Sequence, residues 1–544
     1  MLRGLARIIN QKNYLIRLPR RSSRRRAGWR LLESLPLSSW TRLPLNMAQS
    51  PYQQLEQEFR RLHAFRSSAS LLRWDAAVLM PKGSADLRGD QLAALETECH
   101  AILVAPKVSR LLDRAAANAQ GLEDWQLANL REMRRERDHA IAIPQALISR
   151  LAKAAARAEV KWVEAKQQRN FSLFAPHLEE LIALVRDRSQ LLGKATNLAP
   201  YDALVDEFSP GLTVAEIDKV FTALTRRLPS LIQEATEVQA RAPLQELTGR
   251  FTLSKQRQLA LEIMRSLGFP FERGRLDESE HPFTGGVPGD IRVTTRFDAN
   301  DLLTGLMAVL HETGHAMYDN GLPESWREQP VGRDRGMALQ ESQSLLLEMI
   351  IGRSRPFVQY VLPLLQKTFA VSGPEWSADN VYRLLIRVRR GYIRVDADEL
   401  TYPVHVMLRY ELERDLLAGD LKVSDLPEAW NESMDRRLGI RPTNDAEGCL
   451  QDVHWAMGSF GYFPSYAMGA VIAGQLYERL RSDRSQLDDE IAAGDFTGLF
   501  AWLKENVHSI GARVSAPDLI EAATGKPLSA AAWLRHVEGK YLES

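Results

Sequence analysis

The sequence has little cysteine and no long apolar run. Only two cysteines, Cys99 and Cys449, occur in 544 residues, so a disulfide framework or a Cys-x-x-Cys zinc knuckle is excluded. Even the stretch 467–474 is short and interrupted by glycine, whereas a membrane-spanning helix needs roughly 18 apolar residues. These absences exclude a secreted domain held together by disulfides and predict that no segment spans a membrane. They favour a reducing compartment, which we expect to be the cytoplasm.

The net charge of +1 hides an uneven distribution. Residues 1–46 contain eleven basic residues and one acidic residue, so this segment carries +10, which leaves −9 for the remainder. Binding to nucleic acid requires a basic face for phosphate contacts. An acidic body therefore argues against nucleic-acid binding as the main activity.

The basic segment 1–46 is rich in arginine and serine, as organelle transit peptides are. The alternative is upstream sequence translated ahead of a start at Met47, and in both cases the segment lies outside the fold. A helix is predicted to begin just after it, with Ser50 as N-cap, Pro51 in the first turn and Gln53 closing a capping box. We therefore predict a disordered leader at 1–46 and a single helical domain at 47–544, with an organelle as the alternative location.

Most of the chain has helical periodicity. Apolar residues recur three and four apart in 92–103, 147–162 and 178–192, and the pattern resumes after residue 300. Between 267 and 300, glycine and proline interrupt the chain, and the alternating, β-branched segment 291–297 predicts one strand of a small sheet. The sequence thus predicts a mostly α protein with one small β element.

The strongest chemical signal is His311-Glu312-Thr313-Gly314-His315, an H-E-x-x-H motif. On a helix the two histidines lie on one face and can bind the same metal ion. Glu312 is offset by one residue, so it is placed to act on water rather than to bind the metal.

The flanking sequence supports a helix around this motif. Asp298 or Asn300 is expected to cap its start, and Gly321 followed by Pro323 is expected to end it.

A catalytic metal site of this type needs a third protein ligand. The candidates are Glu324, Glu328, Glu341 and Glu348. The first two fall in a connection, whereas Glu341 lies in the first turns of the helix predicted at 337–351, and an antiparallel return would bring it beside the histidines. Glu348 would stand about 10 Å further along that helix, which is too far to share the ion. We choose Glu341.

Together with this motif, further segments of the sequence resemble the carboxypeptidase Taq family of metallocarboxypeptidases, over about residue 52 to the C-terminus. The matching segments are Gln340-Glu341-Ser342, Asp290-Ile291-Arg292-Val293-Thr294, Ile393-Arg394-Val395-Asp396-Ala397-Asp398-Glu399 and Gly448-Cys449-Leu450-Gln451-Asp452-Val453-His454-Trp455. The family usually has histidine where this chain has Gln340, a departure that bears on metal affinity or pH dependence if this side chain touches a ligand or the substrate.

The resemblance implies a large helical, zincin-like peptidase with a deep substrate cleft, commonly a homodimer. It implies zinc, with cobalt able to substitute, and release of single C-terminal amino acids from peptides with broad specificity. The metal ligands would be His311, His315 and Glu341. Glu312 would be the general base.

The remaining roles are assigned less directly. His454, Tyr462 and Tyr466 are candidates for stabilising the oxyanion of the reaction. Arg394 is the first choice for binding the substrate's terminal carboxylate, although an ion pair with Asp396, Asp398 or Glu399 is the structural alternative.

Arg292, with Asp290 in the same motif, is the alternative substrate contact. The strand 291–297 is expected either to offer an edge to an extended peptide or to form a plain structural hairpin.

Two other functions compete with this one. A metallo-endopeptidase or dipeptidyl peptidase would use the same H-E-x-x-H core, and a catalytically silent peptide-binding protein would keep only the scaffold. The intact set of His311, Glu312, His315 and Glu341 argues against the silent protein, because binding alone does not require all four.

Deleting residues 1–46 should leave folding and peptidase activity unchanged, because this segment precedes the capped helix. Circular dichroism and peptide hydrolysis of the truncated chain check this, and an aggregated or inactive truncation would contradict it. A reporter fused to the segment should enter an organelle if the segment is a transit peptide.

Overall fold

The computed structural model describes residues 49–543, so the predicted leader and Met47 lie outside the described residues. The first helix, α1 (Pro51–Val78), begins as predicted. Ser50 Oγ accepts a hydrogen bond from the Gln53 amide at 3.2 Å, and Gln53 Oε1 accepts one from the Ser50 amide at 3.0 Å. The predicted capping box is confirmed, and it satisfies two backbone donors that a helix start leaves unpaired.

Eight further helices precede the sheet: α2 (Ala85–Val104), α3 (Pro106–Ala117), α4 (Asp124–Ala142), α5 (Gln145–Gln168), α6 (Ala175–Thr196), α7 (Pro200–Phe208), α8 (Val214–Ala240) and α9 (Leu253–Ser266). The periodic segments 92–103, 147–162 and 178–192 lie within α2, α5 and α6. Their helical prediction is confirmed.

The small sheet has three strands: β1 (Gly274–Glu278), β2 (Phe283–Val287) and β3 (Asp290–Thr295). β3 lies in the middle, parallel to β1 and antiparallel to β2. The predicted strand exists, shifted by one or two residues at its ends. Its expected role as an edge for a peptide is wrong, because both hydrogen-bonding sides of β3 are already paired.

Eleven helices follow the sheet: α10 (Leu302–Gly321), α11 (Met337–Leu345), α12 (Arg355–Phe369), α13 (Ala378–Leu385), α14 (Tyr402–Ala418), α15 (Leu426–Leu438), α16 (Pro464–Asp483), α17 (Leu487–Ala492), α18 (Thr497–Asn506), α19 (Ala516–Thr524) and α20 (Ala531–Leu542). The helix predicted at 337–351 is divided, because a π-helical turn at Leu346–Ile351 follows α11. Within residues 49–543, no helix is both long and apolar enough to cross a bilayer.

The N-cap of α10 lies one residue after Asn300, the nearer of the two predicted caps. Asp301 is the N-cap, and its Oδ1 accepts the Thr304 amide at 3.1 Å. Asp298 instead closes the preceding turn by accepting the Asn300 amide at 2.8 Å. Both proposed caps were wrong, because Asp301 is the residue whose carboxylate lies three positions before a free helix amide. The predicted end at Gly321 is confirmed.

Buried apolar side chains form three clusters. One joins α1, α2, α3 and α4, a second lies between the sheet, α9 and α10, and the largest extends from α5 to α20. A mostly helical protein with one small sheet is therefore the observed fold class, as predicted.

Two glycines allow α11 to pack closely between α10 and α16. A Cβ atom on Gly314 of α10 would lie 2.5 Å from the Gln343 carbonyl oxygen, and one on Gly469 of α16 would lie 2.5 Å from the Cβ of Glu341. Real Cβ atoms essentially never approach so closely. Because Gly314 and Gly469 have no side chain, α11 can lie close enough to α10 to bring Glu341 beside it.

Gly469→Ala should destabilise the fold by about 1–3 kcal/mol, because its new methyl group overlaps the side chain and backbone of α11. Gly539→Ala is the matched control, since this glycine also lies in a helix but has no atom within 4 Å of its added Cβ. The control should gain up to about 1 kcal/mol from helix propensity. Urea unfolding measures both, and equal effects would contradict the close packing.

Candidate metal centre

Three side chains from two helices converge on one point. His311 and His315 lie one turn apart on α10, Glu341 lies on α11, and one ligand atom from each falls within 4.8 Å of the other two. His311 Nε2 is 3.8 Å from Glu341 Oε2. The His311 side chain is 23 % exposed, so the group can be reached from solvent.

The chemistry of these three residues fits a divalent cation. Burial raises the pKa of the Glu341 carboxyl group, which has only 4 % of its surface exposed, and a bound cation would compensate its charge. Burial and the neighbouring His311 lower the pKa of His315 to about 3, so this imidazole is neutral. Two imidazoles and one carboxylate are a recurrent ligand set of catalytic zinc.

Glu348 holds His311 rather than contributing to the ligand group. Its Oε2 lies 2.9 Å from His311 Nδ1, and its Oε1 accepts from Arg353 at 2.7 Å. Burial alone would lower the pKa of His311, but the bond to Glu348 and the nearby carboxylates raise it to about 9. Glu348 was not predicted to be a ligand, and its contact with His311 was not predicted either; this contact leaves Nε2 of His311 as the ring nitrogen that would face a bound ion.

His315 has a different partner. Its Nδ1 lies 3.1 Å from Gln340 Oε1, and Gln340 Nε2 donates to Asp319 Oδ1 at 3.0 Å. The residue that departs from the family pattern therefore touches a member of the candidate ligand group.

Glu312 is oriented by the sheet. Thr284 of β2 donates its hydroxyl to Glu312 Oε2 at 2.8 Å and lies equally close to the Glu312 carbonyl oxygen. Burial raises the pKa of this carboxyl group, as a general base near neutral pH requires. Thr284 was not predicted, because no sequence spacing links β2 to α10.

His454, Tyr462 and Tyr466 form one aromatic cluster. His454 Nε2 lies 3.2 Å from the Tyr466 hydroxyl, and the two tyrosine rings are 5.2 Å apart between centroids. Burial lowers the pKa of His454 to about 4 and raises that of Tyr466 to about 12. The charge of Glu341 also contributes to the raised pKa of both tyrosines, so the cluster lies within electrostatic reach of the ligand group.

Arg394 is buried in an ion pair, but with none of the acidic residues considered from the sequence. Its Nε and Nη2 donate to Asp452 Oδ1 at 3.1 and 2.8 Å, and Arg409 binds the other oxygen of Asp452 at 2.6 Å. Burial would raise the pKa of Asp452, yet Arg409 and Arg394 hold it well below its usual value. Two cations share one anion, so this cluster keeps a net charge of +1.

Arg292 and Asp290 pair with each other on β3. Two hydrogen bonds of 2.9 Å join their side chains, and the Arg292 guanidinium lies 4.3 Å from the centroid of the Trp74 ring. This pair therefore connects the sheet to α1.

The fold thus provides a potential cation site with a buried carboxylate next to it on α10, together with a cluster of aromatic and cationic side chains, groups that a metallopeptidase would need. The comparisons with known proteins agree. The family model for carboxypeptidase Taq (M32) metallopeptidases matches residues 54–541.

Carboxypeptidase 1 of Bacillus subtilis is 35 % identical over 491 residues, which cover 89 % of this chain and 98 % of that protein. Thermostable carboxypeptidase 1 of Pyrococcus furiosus is 34 % identical over 495 residues, 90 % of this chain and 98 % of its own. The solved structure of metallocarboxypeptidase 1 from Trypanosoma cruzi superposes with a TM-score of 0.88 at 39 % identity, covering 90 % of this chain and 99 % of that one.

The chain belongs to the carboxypeptidase Taq (M32) metallopeptidase family. It is a metal-dependent carboxypeptidase that acts on peptides. This function is favoured over an endopeptidase or dipeptidyl peptidase and over a catalytically silent peptide-binding protein.

Metal removal should abolish activity, and one equivalent of zinc or cobalt per chain should restore it, because only one ligand group of this kind occurs in residues 49–543. Glu341→Ala should lose the bound metal, whereas Glu324→Ala, an exposed carboxylate in the loop after α10, should keep it. Metal analysis after dialysis gives the stoichiometry. Full turnover by a chain verified to be metal-free would contradict the assignment.

Proposed function

We propose that the ion is zinc and that His311, His315 and Glu341 bind it. The observation that carries this proposal is the convergence of their three ligand atoms within 4.8 Å. Bound there, zinc would polarise the scissile carbonyl group and activate water. Three protein ligands leave a coordination position for the reaction, as catalytic zinc sites do.

Glu312 acts as the general base in this proposal. Its Oε2 is held by Thr284, which leaves Oε1 to accept the proton of the attacking water. The carboxylic acid so formed then donates that proton to the amine that leaves. The raised pKa of Glu312 supports both steps, because the group must take up and release a proton near neutral pH.

We assign stabilisation of the oxyanion to the cluster of His454, Tyr462 and Tyr466. The phenol hydroxyls stay protonated because burial raises their pKa values, so they can donate hydrogen bonds to developing negative charge. The His454 ring is neutral at pH 7. Its Nε2 lies 3.2 Å from the Tyr466 hydroxyl and orients that hydroxyl.

Arg394 binds the terminal carboxylate of the substrate. Its charge offsets a small part of the rise that burial causes in the pKa of Glu341, and its guanidinium lies 4.7 Å from the centroid of the Tyr466 ring; both observations support this role. Nε and Nη2 are engaged by Asp452, and Nη1 has no hydrogen bond among the described residues. The net charge of +1 in the cluster would then be balanced by the substrate.

Arg292 and Asp290 remain the alternative substrate contact, supported by their position on the sheet that holds Glu312. Release of single residues with broad specificity, a homodimer and a cytoplasmic location complete the proposed function. They rest on the family resemblance and on the low cysteine content.

Glu312→Gln should keep the metal but reduce turnover by at least about 10² to 10⁴, because the amide cannot accept a proton. Glu324→Gln is the matched control, since its side chain is 74 % exposed, and it should behave as the parent. Metal analysis and steady-state kinetics are measured on the same samples. Near-normal turnover in Glu312→Gln would show that another group is the base.

Arg394→Ala should lower kcat/KM for peptides with a free C-terminus by about 10²-fold or more, because the terminal carboxylate loses a charged partner. Asp452 keeps Arg409, so the fold should survive. The same change should matter far less for a C-terminally amidated peptide, which we expect to be a poor substrate of the parent.

The informative quantity is the ratio of the two substrates in the parent, in Arg394→Ala and in Arg292→Ala. Equal losses on both substrates in Arg394→Ala, or loss of metal with early melting, would make Arg394 a structural ion-pair residue. A selective loss in Arg292→Ala would transfer the role to Arg292.

A further inference from the structure

His315 is held by a chain of three side chains that crosses from α10 to α11 and back. Its Nδ1 contacts Gln340 Oε1 at 3.1 Å, and Gln340 Nε2 donates to Asp319 Oδ1 at 3.0 Å. Gln340 is 9 % exposed, so water competes little for its amide. Asp319 lies one turn beyond His315 on α10.

A neutral imidazole can bind a metal only through the ring nitrogen that carries no proton. When an acceptor faces Nδ1 of His315, the proton stays on Nδ1 and Nε2 keeps its lone pair. When a donor faces Nδ1, the proton moves to Nε2, and that nitrogen cannot bind a cation. The group beside Nδ1 therefore decides whether Nε2 of His315 can be a ligand.

Gln340 can present either kind of group, because an amide has an oxygen acceptor at one end and an NH₂ donor at the other. For His311 this ambiguity does not arise, because both oxygens of its partner, the Glu348 carboxylate, are acceptors. In the ligand group, only His315 depends on the orientation of an amide. Some second contact must fix that orientation.

Asp319 supplies that contact. Its carboxylate only accepts hydrogen bonds, so the NH₂ end of Gln340 must face Asp319 and the oxygen must face His315. The reversed amide would set its oxygen against the Asp319 carboxylate and leave the buried NH₂ group without this acceptor, which costs free energy.

We propose that Asp319 is a positioning residue of the metal centre, which fixes the amide of Gln340 and thereby the tautomer of His315. The inference rests on the proposed role of His315 as a ligand and extends it to the one position where the chain departs from the family pattern. Asp319 itself does not touch the metal or the substrate.

The test measures zinc affinity of the full chain by competition with a chromophoric chelator. It is run at pH 8, where Asp319 is ionised, since burial and Asp334 raise its pKa only to about 7. Asp319→Ala should weaken zinc binding about 10- to 100-fold, as loss of an outer partner typically does. Asp319→Asn keeps the size of the side chain but offers a donor as well as an acceptor, so it no longer fixes the Gln340 amide and should also weaken zinc binding. Asn320→Ala, at the exposed neighbouring position, is the control and should change nothing.

The Gln340→Glu background separates positioning from a general structural role. A carboxylate at position 340 has two acceptor oxygens and no donor, so either orientation presents an acceptor to His315. It would also be repelled by the carboxylate of Asp319. In that background, Asp319→Ala should leave zinc affinity unchanged or improve it. The melting temperature of each metal-free variant is recorded beside its affinity.

The inference is overturned if Asp319→Ala weakens zinc binding by the same factor in both backgrounds, or leaves it unchanged in the parent chain. The variant His315→Ala distinguishes failure of the role proposed for Asp319 from failure of the proposed metal site. If His315→Ala binds zinc as tightly as the parent, His315 is not a ligand and the proposed site itself is wrong.

Discussion

The site depends on how closely α11 lies between α10 and α16. Gly314 and Gly469 provide the space, because a methyl group at either position would overlap α11. That proximity brings Glu341 to 3.8 Å from His311. The two histidines on α10 thereby meet a carboxylate from another helix, and the same packing places Gln340 and Glu348 beside them.

Buried charge is distributed so that each ionisable group of the site has a defined state. Three carboxylates, Glu312, Glu341 and Glu348, lie around His311 and hold its pKa high, an excess of negative charge that a divalent cation would balance. Arg394 and Arg409 share Asp452, and this cluster keeps one positive charge. In the function proposed above, the positive cluster binds the terminal carboxylate of the substrate, and the metal would act on its scissile carbonyl group.

The sequence alone was sufficient for the helical class, the capping box at Ser50, the small sheet and the group His311, His315 and Glu341, because these follow from local periodicity and fixed spacing. It was insufficient for long-range pairings. Arg394 pairs with Asp452, 58 residues away, and Thr284 holds Glu312 across a sheet and helix. The central position of β3 was also hidden, since β1 and β2 carry no strong strand pattern of their own. Glu348 lies in a π-helical turn, Leu346–Ile351, and its contact with His311 could not be read from the spacing of an ideal α-helix.

The most direct measurement is anomalous X-ray diffraction at the zinc edge from crystals grown with one equivalent of zinc. We expect a single strong peak bonded to Nε2 of both His311 and His315 and to a carboxylate oxygen of Glu341, with Nδ1 of His311 still in contact with Glu348 and Nδ1 of His315 still in contact with Gln340. A peak that is ligated by Glu348, that omits His315 or that lies elsewhere in the chain would contradict it.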